Sequence, residues 1–85
     1  MALTNTQLRA LRSKAIGAAG NRLSEAIRLS EISQADLSRS LDLSPQYVSD
    51  VARGRYPNIT LDNARLFAEH FGCNIEDLFP ARAVA

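Results

Sequence analysis

The sequence predicts an all-α domain of five short helices around one core, preceded by an N-terminal extension that is itself helical. Three observations predict it. Apolar residues recur at three- and four-residue spacing, no stretch alternates as a strand does, and helix-start signals punctuate the 85 residues at short intervals. A chain of this length buries only about 60 to 65% of its unfolded surface, so the core must be single and well filled.

Leu23 and Ile27 set the first of the five helices at about 22–30. Ser33 opens the second, over 34–41: with Asp36 it forms a capping box, and Ile32 and Leu37 flank it as a hydrophobic staple. Ser44 opens the third, over 45–53, with Pro45 at the first helical position, where its missing N–H costs nothing, and Leu43 and Val48 as the staple. Thr60 with Asp62 starts the fourth, over 61–71. Asn74 with Glu76 and Asp77 starts the fifth, over 75–79, stapled by Cys73 and Leu78; acids in a first turn suit the helix dipole. Leu37, Leu41, Val48, Val51, Leu61, Ala64, Phe67, Ala68, Phe71, Ile75, Leu78 and Phe79 join Leu23 and Ile27 in the expected core.

Residues 1–20 are less determined. Leu8, Leu11, Ala15 and Ala19 form a narrow stripe at helical spacing, while Gly17 and Gly20 weaken a helix there. Covering the core ranks first among its roles, ahead of a dimer contact and a basic arm on DNA. The expected organisation is an extension over 1–20, a domain over 21–80 and a short tail over 81–85.

Net charge is only +1, but residues 1–20 carry +3, residues 21–59 balance to 0, and residues 60–85 carry −2. Nine of the ten basic residues are Arg, the side chain suited to bidentate contact with phosphates and bases. The single cysteine, Cys73, cannot form an internal disulfide and reads as a small buried hydrophobe. No run reaches membrane-spanning length and no secretory leader is visible, so a cytoplasmic protein is expected. His70 and Cys73 lie three apart with no third ligand placed beside them, and no Ser has a partner to activate it. No catalytic residues, metal, cofactor or small-molecule ligand is expected, and the chain does not read as an enzyme.

The helices at 34–41 and 45–53 are joined by Asp42-Leu43-Ser44 alone, a turn short enough to set them at a steep angle, with Leu43 in the corner and small Ser38 permitting close approach. With Val48, Val51 and Ala52 turned inward, Gln46, Asp50 and Arg53 share the outer face, with Ser49 beside them and Tyr47 at the edge. Gln pairs bidentately with adenine and Arg with guanine in the major groove. Asp50 either pairs with Arg53 one turn on or accepts from a cytosine amino group.

The run ISQADLSRSLDLSPQYVSDVARGRYPNITLDNARLFAEHFGCNIEDLF resembles the phage-repressor helix-turn-helix family of Cro, CI and the XRE regulators, over about residues 22–79. The likeness rests on Ser33, Gln34 and Leu37, the Leu43-Ser44 turn, the stretch from Tyr47 to Arg53-Gly54, and the segment from Phe67 to Phe79. It implies a compact five-helix lambda-repressor-like domain that binds double-stranded operator DNA as a homodimer and regulates transcription, as a repressor. It further implies that Gln34 holds a phosphate at a helix N-terminus, that Ser44, Gln46, Tyr47, Ser49, Asp50 and Arg53 face the DNA, and that Arg55 and Tyr56 touch the backbone. Gln34 otherwise serves only as a first-turn residue, and Tyr56 otherwise packs over its loop. Three positions depart from the family's usual residues: Asp42 where Gly is common, Asp50 where a basic or amide residue is common, and Ala52 where Glu is frequent. The low net charge and Asp50 keep a second class open, a protein-interaction module on the same fold such as an antitoxin-like partner.

Overall fold

The computed structural model describes residues 2–56 and 59–80. Among them are six helices and no strand: α1 (Asn5–Ser13), α2 (Leu23–Ser30), α3 (Gln34–Leu41), α4 (Pro45–Ala52), α5 (Leu61–Phe71) and α6 (Ile75–Leu78). Helices α2 to α6 are the five expected, and α1 is the helical part of the extension. The tail over 81–85 lies outside the described residues. A Cα radius of gyration of 11.4 Å is close to the roughly 12 Å of a single packed domain this long.

The starts follow the chemistry of the caps. Ser33, Ser44 and Thr60 each accept the backbone N–H three residues on, from Asp36, Tyr47 and Asn63. At α3 only half of the expected box forms, because the Asp36 carboxylate pairs with Arg39 instead of reaching back. α2 starts without a side-chain cap, at Arg22. α1 starts on a full capping box that the sequence reading missed: Thr4 Oγ1 accepts from Gln7 N at 3.2 Å, and Gln7 Oε1 accepts from Thr4 N at 2.9 Å. Two helices end on non-glycine residues in the left-handed region, α2 at Glu31 (φ 59°) and α3 at Asp42 (φ 56°). At Asp42 this is the conformation for which glycine is the easier residue.

One core gathers every helix. Leu11 from α1, Leu23 and Ala26 from α2, Leu37 from α3, Val48, Val51 and Ala52 from α4, Ala64, Phe67 and Phe71 from α5, and Leu78 from α6 are all buried, with Leu3, Ile59 and Phe79 from outside the helices. Among the expected core members Leu61 differs, standing 45% exposed because the first turn of α5 points it away, while Leu41 and Ile75 pack half-buried against the core; Ala15, from the N-terminal stripe, is exposed because α1 has already ended at Ser13. Cys73 packs half-buried against the core; burial, and the nearby Asp77 carboxylate, push its thiol up to about 11, so it stays protonated.

The two ends of the described chain are clasped around Asp77. Arg12 grips it bidentately, Nε to Oδ1 at 2.9 Å and Nη2 to Oδ2 at 3.0 Å, and Asn74 N donates to Oδ2 at 2.9 Å. Arg22 adds a second guanidinium, donating to the carbonyls of Lys14, Arg12 and Asp77, while its own N–H donates to Leu78 O. Leu3 N donates to Phe71 O and Gln7 Nε2 to Leu29 O, so α1 is tied by backbone as well as by side chains.

The Asp77 side chain is only 12% exposed, and the hydrogen bonds from Arg12 hold its carboxyl below the ordinary value of 3.8. A depressed folded value means that stability from this group is complete above 3.8 and drains as pH falls through the folded value. Asp77→Ala is expected to cost about 2 kcal/mol or more at neutral pH by leaving charged hydrogen bonds unmade. Thermal melts between pH 7 and pH 2 should show a shallower acid loss for Asp77→Asn than for the unaltered protein; parallel curves would refute the assignment.

Candidate nucleic-acid interface

The outward face of the molecule at α4 begins with the α3–α4 turn. Asp42 turns left-handed, Leu43 N closes onto Ser38 O at 2.9 Å, and Leu43 lies half-buried against the core. Ser38 is buried, its hydroxyl satisfied by donating to Ala35 O at 2.7 Å, so a small side chain sits where the two helices meet. With Val48 at 0%, Val51 at 1% and Ala52 at 2% exposure, the inner face of α4 is fixed. Helical geometry then decides what is left outside.

On that outside, Gln46 and Arg53 are exposed and Asp50 is half-buried between them. Asp50 does not pair with Arg53. Its Oδ1 accepts from Gln46 Nε2 at 2.9 Å and from Arg55 Nη1 at 3.2 Å, and its carbonyl accepts from Arg55 N at 2.9 Å. The chain turns just after α4 through Gly54, which brings Arg55 back beside the helix, whereas Arg53, as C-cap, is carried outward. Arg53 has no side-chain hydrogen bond or ion pair among the described residues, which leaves its guanidinium free to meet an acceptor.

A second cluster lies beside the first. Tyr47, half-buried, packs its ring 5.1 Å from that of exposed Tyr56 at a 49° tilt, and its hydroxyl accepts from Asn63 Nδ2 at 2.8 Å. Tyr56 thus packs over its loop against Tyr47 while keeping 46% of its surface open. Ser44 is exposed, its oxygen already holding Tyr47 N; Ser49 is half-buried; Gln34 occupies the first helical position of α3, half-buried. The structure therefore brings Gln46, Asp50 and Arg55 together, and Tyr47 with Tyr56, but keeps Gln34 on its own helix.

Three residues that sequence reading missed hold this face in place. Asn63 fixes the Tyr47 hydroxyl; Asn21 donates to Val51 O at 2.9 Å and Ser24 to Ala52 O at 3.4 Å, satisfying carbonyls at the end of α4. The signal available for Asn63 was a polar residue on the inner side of a helix start. The bonds of Asn21 and Ser24, spanning about thirty residues, left none. His70 and Cys73, near neighbours in sequence, are separately packed: His70 stacks edge-on to Phe71 with its pKa lowered by burial.

An all-helical domain that presents the second helix of a short-turn pair, anchored from behind and armed with Gln and Arg in front, belongs to the helix-turn-helix class of nucleic-acid-binding proteins. A family model described as helix-turn-helix matches residues 23–78, all of α2 through α6, and the chain belongs to this XRE-type family. The chain is also similar to the SPbeta prophage-derived uncharacterized HTH-type transcriptional regulator YotL of Bacillus subtilis (strain 168), 34% identical over 59 residues that cover 69% of this chain and 74% of that protein. No solved structure matches significantly. α1 lies outside the matched span.

That outside helix nonetheless leads to the end of α4. Gly54 holds a left-handed φ of 79°, and a Cβ there would fall on the carbonyl oxygen of Ala19 and within 2.8 Å of its Cα. Gly17, in the same extension, meets nothing within 4 Å. Gly54→Ala is expected to lower stability by about 1 to 3 kcal/mol, whereas Gly17→Ala should be neutral or stabilising by up to about 1 kcal/mol. Denaturant unfolding of the two variants checks this, and equal effects would contradict the close approach.

Proposed function

We propose that this protein is a cytoplasmic, sequence-specific transcriptional repressor that lays α4 in the major groove of an operator and binds as a homodimer. The observation that carries the reading is the division of α4 into a sealed inner face and an outer face of Gln46, Asp50 and Arg53, with Arg55 folded back beside it. Gln46 and Arg53 have the hydrogen-bonding geometry to read base edges; Arg55, Gln34 and the hydroxyls of Ser44, Ser49, Tyr47 and Tyr56 suit phosphates along the flanks. Dimerisation follows from affinity. A domain of net charge +1 makes few phosphate contacts, so useful binding calls for two copies on half-sites about 34 Å apart. The likeness to a protein named as a transcriptional regulator supports the same reading.

Selection from random duplex DNA should return an inverted repeat, and sedimentation of the complex should give two chains per site. A single half-site bound as tightly as two would refute the dimer. On the selected site Gln46→Ala is expected to lose about 1 to 3 kcal/mol and to relax preference at one base pair per half-site, with binding to random DNA unchanged. Arg55→Ala should instead weaken all duplexes alike and flatten the dependence of log K on log salt by about one unit for each phosphate it no longer neutralises. An unchanged slope would take Arg55 off the phosphates.

A further inference from the structure

Asp50 is a misfit on a face meant for DNA, because a carboxylate there repels phosphates. Its surroundings account for it. Its side chain is only 18% exposed, against 60% for Arg55, so the carboxylate is turned along the protein surface and not out to the groove. One oxygen, Oδ1, takes both the Gln46 amide at 2.9 Å and the Arg55 guanidinium at 3.2 Å. The guanidinium offsets the charge, and the amide is what the carboxylate controls.

The control is chemical. An ionised carboxylate only accepts, so Gln46 must turn its NH2 toward Asp50 and keep its Oε1 away. A glutamine amide has two N–H bonds, and a bidentate contact to adenine uses Oε1 with the N–H on the same edge, to N6–H and N7. The other N–H can stay on Asp50. The same carboxylate therefore forbids the flipped amide, which would present its donor and acceptor in the opposite order.

We infer that Asp50 is a positioning residue for base recognition: it contacts no base itself, but fixes the Gln46 amide in the orientation that selects adenine, and is made tolerable beside phosphates by Arg55. The inference rests on the proposed DNA-reading role of α4. It displaces both simpler roles for Asp50, the pair with Arg53 and the direct contact with cytosine. Holding a reading side chain in advance spares the cost of ordering it on binding and sharpens discrimination.

The test uses the intact protein and the selected operator, with each base pair of one half-site varied in turn. Asp50→Ala should reduce the preference at the Gln46-dependent base pair about tenfold, a loss in the range expected for a bidentate contact. Binding to random duplex should tighten, because a negative charge has left the DNA face. The double variant with Gln46→Ala should lose no more preference than Gln46→Ala alone. Asp50→Asn, whose Oδ1 can still accept the amide, should retain the preference within about threefold. In the free protein, the side-chain NH2 signals of Gln46 should shift and exchange faster in Asp50→Ala than in Asp50→Asn. Two results would overturn the positioning role alone: relaxed preference at a different base pair, or losses that add to those of Gln46→Ala. A Gln46→Ala variant with unaltered base preference would instead overturn the reading of α4 and this inference with it.

Discussion

Asp77 and the two guanidiniums around it are the constraint on which the rest of the arrangement hangs. A carboxylate this enclosed is costly unless its hydrogen bonds are made, and here Arg12 from α1 makes two and Asn74, from the turn before α6, a third, while Arg22 at the start of α2 donates to the Asp77 backbone carbonyl beside it. Those bonds tie α1 to the start of α2 and to α6. From α1 the chain runs on to Ala19, whose backbone lies where a Cβ on Gly54, just after α4, would fall. The geometry of α4 is thus set from its front by the α3 turn and from its end by a segment anchored at Asp77.

The outward face of α4 shows the same economy at smaller scale. Few of its side chains stand alone: Gln46 and Arg55 share one carboxylate oxygen, and Tyr47 is held between Asn63 and Tyr56. Among the described residues Arg53 projects from the C-cap with no fixed partner. A surface of this kind has settled part of its rotamer entropy before any DNA arrives. It also limits its own positive charge, which favours selectivity over indiscriminate attraction to phosphates.

How much of this was legible can be judged residue by residue. The helix-turn-helix was, because Ser44 with Pro45 marks a start that no other structure explains, and because Val48, Val51 and Ala52 fix one face by spacing alone. The left-handed turn at Asp42 was legible from its departure from glycine. α1 was only half legible: its Thr4-to-Gln7 capping box is a plain start signal, but the glycines that follow it weigh against a helix in the same segment. Leu61 misled because periodicity counts a first-turn residue as if the whole helix were buried. Of the two partners of Asp50, Gln46 lies one helical turn back, but Arg55 could not be read from helical spacing, since it lies beyond the helix and is returned to it by the turn at Gly54. The clasp at Asp77 was out of reach for the same reason magnified, as nothing in local pattern links Arg12 to a residue 65 positions away.

That separation bears on how the molecule assembles. The cost of closing a loop rises with the logarithm of its length, and contacts between near neighbours are met at the lowest cost. α3 and α4, joined by a three-residue turn, meet readily, whereas the Arg12–Asp77 grip closes nearly the whole chain. The motif that would read DNA is therefore made of the fold's most local contacts and is secured by one of its most distant ones. A nascent chain can form the helix pair before residue 77 has been synthesised, but the strut that sets the end of α4 is locked only when the far end of the domain arrives.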